Sequence, residues 1–153
     1  MADPQSPTRV NGQDVAAHLQ PVLVGLISLG LNGKQAHWHV QGHHFISIHE
    51  QLDEVVADAR RLADEIAERV VSVGMTVDGR PQAVAEGATA FPEGFLADDK
   101  VVALIVEQID AAIDRAREAL RPLEDVDLVS QDIVIEVLRT LEKHRWMFAA
   151  YTA

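Results

Sequence analysis

Two pairs of residues carry the chemistry of this chain: His49 with Asp53, and Asp64 with Glu68. Each pair is spaced by four, so on a helix its members lie on one face, about a turn apart. Asp53 and Asp64 are eleven positions apart, close to three turns, which puts all four on one face. Imidazole nitrogen with carboxylate oxygen suits iron, zinc or manganese. His37 lies upstream, near the end of a preceding helix, where it can lean over the start of this one. Eleven residues rise roughly 16 Å along a helix, whereas metal–ligand bonds are about 2.0–2.2 Å. The two pairs of one helix therefore cannot share an ion. Two such helices, antiparallel about a two-fold axis, can bring His49 and Asp53 of one copy to Asp64 and Glu68 of another. A plainer reading stays open. "ADARRLADEIAER" also reads as a solvated surface laced by ion pairs about a turn apart, Arg60 with Asp64 and Asp64 or Glu65 with Arg69.

The elements that must hold these residues are helical. Residues 1–13 read as a short polar N-terminal extension, and 14–153 as one domain. Asp14 is expected to cap a first helix, with Pro21 disturbing its early turns. Leu19, Val22, Leu23, Leu26, Ile27 and Leu29 suit a helix buried on more than one side, and Gly42 is expected as its C-cap. A second helix is predicted from about His44 to Val73 on the stripe Ile48, Leu52, Val55, Val56, Ala59, Leu62, Ala63, Ile66 and Val70. Residues 74–96 form one long connection in which "PQAVAEG" predicts a short helical turn. Asp98 is expected to cap a third helix, about 99–121, closed by Pro122. Asp127 or Ser130 opens a fourth, to about Ala150. No strand is predicted. Four long helices with one long crossover between the second and third make an all-α, ferritin-like four-helix bundle.

Composition narrows the function classes. Hydrophobic residues make up 48% of 153, enough for one packed core. With no cysteine, thiolate metal sites, disulfides and cysteine nucleophiles are excluded. The net charge of −11 and the lack of a Lys/Arg cluster disfavour nucleic acid and favour cations. The N-terminus lacks a basic segment followed by an apolar run, and "PVLVGLISLGLNG" reads as too short to cross a bilayer. A cytoplasmic, non-membrane location is expected. HExxH is absent, since His49-Glu50 continues as Gln51-Leu52-Asp53. No glutamate is followed by histidine three positions on, so an intrachain Glu-x-x-His di-iron centre is not available. His18 reads as a surface residue, His39, His43 and His44 as junction histidines, and His144 as packing or interface. Trp38 and Trp146 read as core or interface anchors.

The stretch "GKQAHWHVQGHHFISIHEQLDEVVADARRLADEIAER" resembles the signature of the Dps family, the mini-ferritins named as DNA-binding proteins from starved cells. The matching residues are Lys34, His37-Trp38, Val40, Gly42, Phe45, His49-Glu50, Asp53, Asp64 and Glu68-Arg69. The terminal "LEKHRWMFAA" is similar to the family's last helix. The resemblance covers about residues 19–150. It implies a homododecameric shell built from two-fold dimers, with an iron-oxidising site at each dimer interface. His37, His49 and Asp53 would come from one subunit, and Asp64 and Glu68 from its partner. Fe(II) would be oxidised there, hydrogen peroxide ahead of dioxygen, and ferric mineral stored inside as protection against oxidative damage.

The resemblance also implies supporting roles. Glu68 would bridge or anchor, Asp64 and His37 would complete the tighter iron position, and His49 with Asp53 a weaker one. Lys34 would pair with a site carboxylate. Trp38 would either intercept oxidising equivalents or pack the interface. Asp125, Asp127 and Asp132 are the candidates for negatively lined inlets at three-fold axes, with helix capping and dipole compensation as their alternative role. Twelve copies would carry a formal charge on the order of −130. DNA-binding members use a basic tail. Residues 1–13 carry only Arg9 and the chain stops at "AAYTA", so DNA binding at physiological salt is not expected. A nucleoid-binding protein with secondary iron chemistry is the competing reading.

Overall fold

The computed structural model describes residues 10–153. Residues 1–9 of the expected polar extension lie outside the described residues. Four long helices form the bundle: α1 Gly12–His39, α2 Phe45–Ser72, α4 Asp98–Val126 and α5 Leu128–Ala149. A short helix, α3 Pro81–Gly87, falls on the predicted "PQAVAEG" turn inside the crossover, and a 3₁₀ turn, Ala150–Thr152, ends the chain. α1 packs along α2 and α4 along α5, and the two pairs meet through α1–α4 and α2–α5.

The helix limits depart from expectation in ways that capping explains. Asn11, not Asp14, caps α1, its side-chain oxygen accepting from the Gln13 amide at 3.2 Å. Asp14 sits inside the first turn, where its charge offsets the positive end of the helix. Pro21 lies on the exposed side and α1 runs through it, because Leu19, Val22 and Leu23 around it are buried. As one 28-residue helix, α1 is long and apolar enough to cross a membrane, contrary to the shorter stretch expected. Here it is the core helix of the bundle, with Val15, Leu19, Val22, Leu26 and Leu29 all buried. Pro122 does not close the third long helix either; α4 continues to Val126, and the fully buried Leu123 accepts from the Asp127 amide at 2.8 Å. α5 opens on Asp127, as one of the two predicted caps.

Two short strands, β1 Val40–Gln41 and β2 Leu96–Ala97, pair in parallel, Val40 opposite Leu96 and Gln41 opposite Ala97. Two-residue strands are too short to show a period in sequence. They matter because they return the end of the crossover to the junction of α1 and α2. There Gly42 turns the chain at φ +139°, and α1 is capped by Val40 instead. A Cβ at position 42 would collide with the Asp98 carboxylate. Asp98 is the first residue of α4 rather than its cap, and it accepts the His44 amide at 2.9 Å, tying α4 to the start of α2.

The crossover lies against the bundle, so its peptide groups need partners. Side-chain amides supply them. Gln20 both donates to the Asp78 carbonyl (2.7 Å) and accepts its amide (3.0 Å). Asn32 donates to Thr89 O and to Gln108 Oε1, and buried Gln108 donates to Ala90 O.

Candidate metal centre

The turn between α1 and α2 brings His37, His49, Asp53 and Lys34 together. The His37 and His49 rings stack with centroids 3.6 Å apart and planes 18° from parallel. Each Nδ1 lies 2.8 Å from the main-chain carbonyl of the other residue. A carbonyl only accepts, so both Nδ1 atoms carry hydrogen and donate. In neutral imidazole that leaves each Nε2 with a free lone pair, the arrangement a metal-ligating histidine needs. His37 is 7% exposed, and His49 is half-buried.

Asp53 stands beside them, half exposed. Its Oδ1 accepts from Lys34 Nζ at 2.5 Å and lies 3.4 Å from His37 Nδ1. The Lys34 hydrogen bond, working against partial desolvation, holds the Asp53 carboxyl below its ordinary value. The group is therefore an anion at neutral pH, with Oδ2 not engaged by Lys34.

Asp64 and Glu68 lie elsewhere on α2, exposed, and enter no side-chain hydrogen bond or ion pair among the described residues. The i,i+4 ladder expected for this stretch takes other partners. Arg61 holds Glu65 at 2.6 Å and reaches Glu136 of α5 at 2.8 Å, and Arg69 turns inward to Asp127. Asp64 borders an apolar groove of about 350 Å³ lined by Leu23, Ile27, Leu31, Ala63 and Ala67. Among the described residues, no group of three or more His, Asp or Glu side chains of one chain is placed to hold a metal ion. The structure brings together His37, His49 and Asp53, and keeps Asp64 and Glu68 apart from them.

The remaining candidates divide. Trp38 is 61% exposed beside Lys34 and Arg60, so it is not a core residue of the single chain, and neither is the exposed Trp146. Asp125 and Asp132 are exposed, whereas Asp127 is 8% exposed and engaged with Arg69 at 2.7 Å. His144 is 4% exposed and packs as expected, with Nε2 2.7 Å from Asp58 Oδ2. His39 bonds back to the Gln35 carbonyl within α1. Sequence reasoning missed the inward turn of Arg69 and the Asp58–His144 pair, because their partners lie 58 and 86 residues away and no local spacing signals them.

The sequence profile of the family described as Ferritin-like domain matches residues 16–153. A DNA protection during starvation protein of Mycolicibacterium smegmatis is 35% identical over 90% of this chain and 76% of its own length. The structure of Dps from Microbacterium arborescens in the high iron form superposes with a TM-score of 0.92 at 42% identity, covering 96% of this chain and 97% of that one. A fine tangled pili major subunit of Haemophilus ducreyi is also 34% identical over 94% of this chain and 77% of its own length, so likeness at this level leaves the activity to be argued from the site. Profile, relatives and superposition agree: the chain belongs to the Dps family of ferritin-like proteins.

Proposed function

We propose that this protein oxidises Fe(II), hydrogen peroxide serving ahead of dioxygen, at sites shared by two-fold-related subunits of a homododecameric shell. The ferric product is stored as mineral, which protects the cell against oxidative damage, and the location is the cytoplasm. The observation that carries this reading is the fixing of His37 and His49 through their Nδ1 hydrogens, which leaves both Nε2 lone pairs free, with the Asp53 carboxylate 3.4 Å from His37 Nδ1. Two imidazoles and a carboxylate are half a site for a divalent transition metal. Asp64 and Glu68, exposed and unpaired among the described residues, are the donors that a second copy supplies.

The residues divide the work. The carbonyl anchors hold the imidazoles in one tautomer and orientation, so no ordering is needed when iron arrives. Asp53, Asp64 and Glu68 supply negative charge, which favours Fe(III) over Fe(II) and so aids oxidation. Lys34 offsets part of the Asp53 charge and fixes its Oδ1. Trp38 packs the contact between copies or intercepts oxidising equivalents. The redox step balances when two Fe(II) each give one electron to one hydrogen peroxide, its O–O bond breaks, and two protons complete two waters. Asp125 and Asp132 are the inlet residues of this reading, with Asp127 assigned to capping.

The test is an anaerobic Fe(II) titration followed by peroxide, read as ferric absorbance. Wild-type protein gives a rapid rise at about two equivalents of iron per peroxide. No rise, or full activity in an Asp64→Ala, Glu68→Ala double variant, overturns the reading.

A further inference from the structure

Arg69 follows Glu68 in sequence but turns inward, about 100° round the helix. Glu68 is exposed at the penultimate turn of α2, and nothing among the described residues holds its side chain. Arg69 is 13% exposed at its side chain, with Nη2 2.7 Å from Asp127 Oδ2 and Nε 3.1 Å from Ser130 Oγ. Asp127 is not free to follow. It caps α5, accepting the Val129 amide at 3.3 Å and the Ser130 amide at 3.0 Å, and the Ser130 hydroxyl also donates to it. The guanidinium fork is therefore held at two points by one rigid elbow between α4 and α5.

This matters at the end of a helix. The last turn of α2 is closed on its own backbone: Val73 N reaches Arg69 O at 3.2 Å, Met75 N reaches Val70 O at 3.2 Å, and Gly74 N reaches Val71 O at 3.0 Å, which holds the turn but does not by itself direct its side chains. Helix ends fray unless something fixes them. A metal centre tolerates only roughly 0.5 Å or 10–20° of ligand displacement. A buried ion pair adds little net stability over an apolar pair of similar volume; what the planar fork adds is fixed direction.

We infer that Asp127 and Ser130 are positioning residues that act through Arg69 to set Glu68, so that the α4–α5 elbow fixes the half-site α2 lends to a neighbouring copy. This rests on the reading of Glu68 as a ligand. The inference gives Arg69 a function beyond a surface ladder and gives Asp127 one beyond capping.

The experiment uses the assembled protein, with Co²⁺ as an anaerobic probe read by its visible absorption and by calorimetry. Asp127→Asn retains an oxygen for the cap but removes the charge facing Arg69. Arg69→Lys keeps the charge but loses the fork. Both are expected to weaken Co²⁺ binding, Asp127→Asn by roughly 10-fold, and to alter the band shape, with the native mass unchanged. Val137→Ala, a buried α5 position, controls for general destabilisation and should lower Tm without moving the Co²⁺ affinity. Wild-type Co²⁺ binding by either positioning variant, while Glu68→Gln is impaired, overturns the inference alone. A parallel loss of affinity in Val137→Ala also overturns it. Wild-type binding by Glu68→Gln overturns the ligand reading beneath it.

Discussion

The imidazoles of His37 and His49 are locked to each other's backbones: each Nδ1 lies 2.8 Å from the carbonyl of the other residue. One hydrogen bond fixes the ring of α1 to α2 and the other fixes the ring of α2 to α1. In His49→Ala the backbone carbonyl remains, so the His37 ring keeps its anchor while the second imidazole is lost. The initial rate of peroxide-driven iron oxidation is expected to fall at least about 10-fold. The helical circular dichroism should stay at the wild-type level. Stopped-flow ferric absorbance measures the rate.

A site split between copies makes a sharper demand. Shells of His49→Ala alone, or of Glu68→Ala alone, would have every site damaged. Shells mixed from both would regain intact sites, since one site of each mixed dimer takes His49 and Glu68 from the undamaged positions. Random pairing restores roughly a quarter of the sites. Refolded mixtures assayed for the rapid phase of oxidation check this, and no recovery on mixing would argue for a site within one chain.

Gly42 holds a backbone conformation that side chains avoid, against the Asp98 carboxylate. Gly42→Ala is expected to cost about 1–3 kcal/mol and to displace Asp98 from the His44 amide. Thermal unfolding should show a lower Tm, and the fast oxidation phase should weaken because the junction carrying His37 and His49 is loosened.

The Asp78 carboxyl is lowered to about 2, first by its side-chain hydrogen bond from Arg80 and then by the Arg80 amide. Its folded value lies below the ordinary 3.8, so its contribution is fully present above 3.8 and is lost as pH falls through about 2. In Arg80→Ala the carboxyl should titrate closer to 3.8. Carboxyl-carbon NMR in acid follows the shift, and an unmoved titration would show that Arg80 is not its cause.

The net charge of −11 per chain sets the expectation for DNA. Gel shifts should show at most weak retention at low salt and none at about 150 mM, since phosphate contact needs a cationic surface. Retention at that salt would restore the nucleoid-binding alternative.

Much of the fold was legible because the signals are local. The apolar stripe from Ile48 to Val70 marks α2, and all nine of its positions are buried. The short α3 and the Asp127 cap were also readable from a few adjacent residues. The misses share a cause. Pro21 and Pro122 are breakers by local rule, yet burial of Leu19, Leu23 and Leu123 overrides them. Asp14 and Asp98 look like caps, but a better acceptor preceded the first, and the second was claimed by the His44 amide of another helix.

For the candidate site, spacing alone put His49, Asp53, Asp64 and Glu68 on one helical face, because the period and rise of a helix are fixed by the backbone. The same arithmetic separated the two pairs by three turns, and so posed the question of a second copy. Tertiary structure decided what no spacing encodes. It set the stacking of His37 on His49, the tautomer imposed by two carbonyls, and the Lys34–Asp53 contact. It also turned Arg69 away from the Asp64 ladder toward Asp127. Each of these joins residues distant in sequence, and only the packing of helices determines which of them meet.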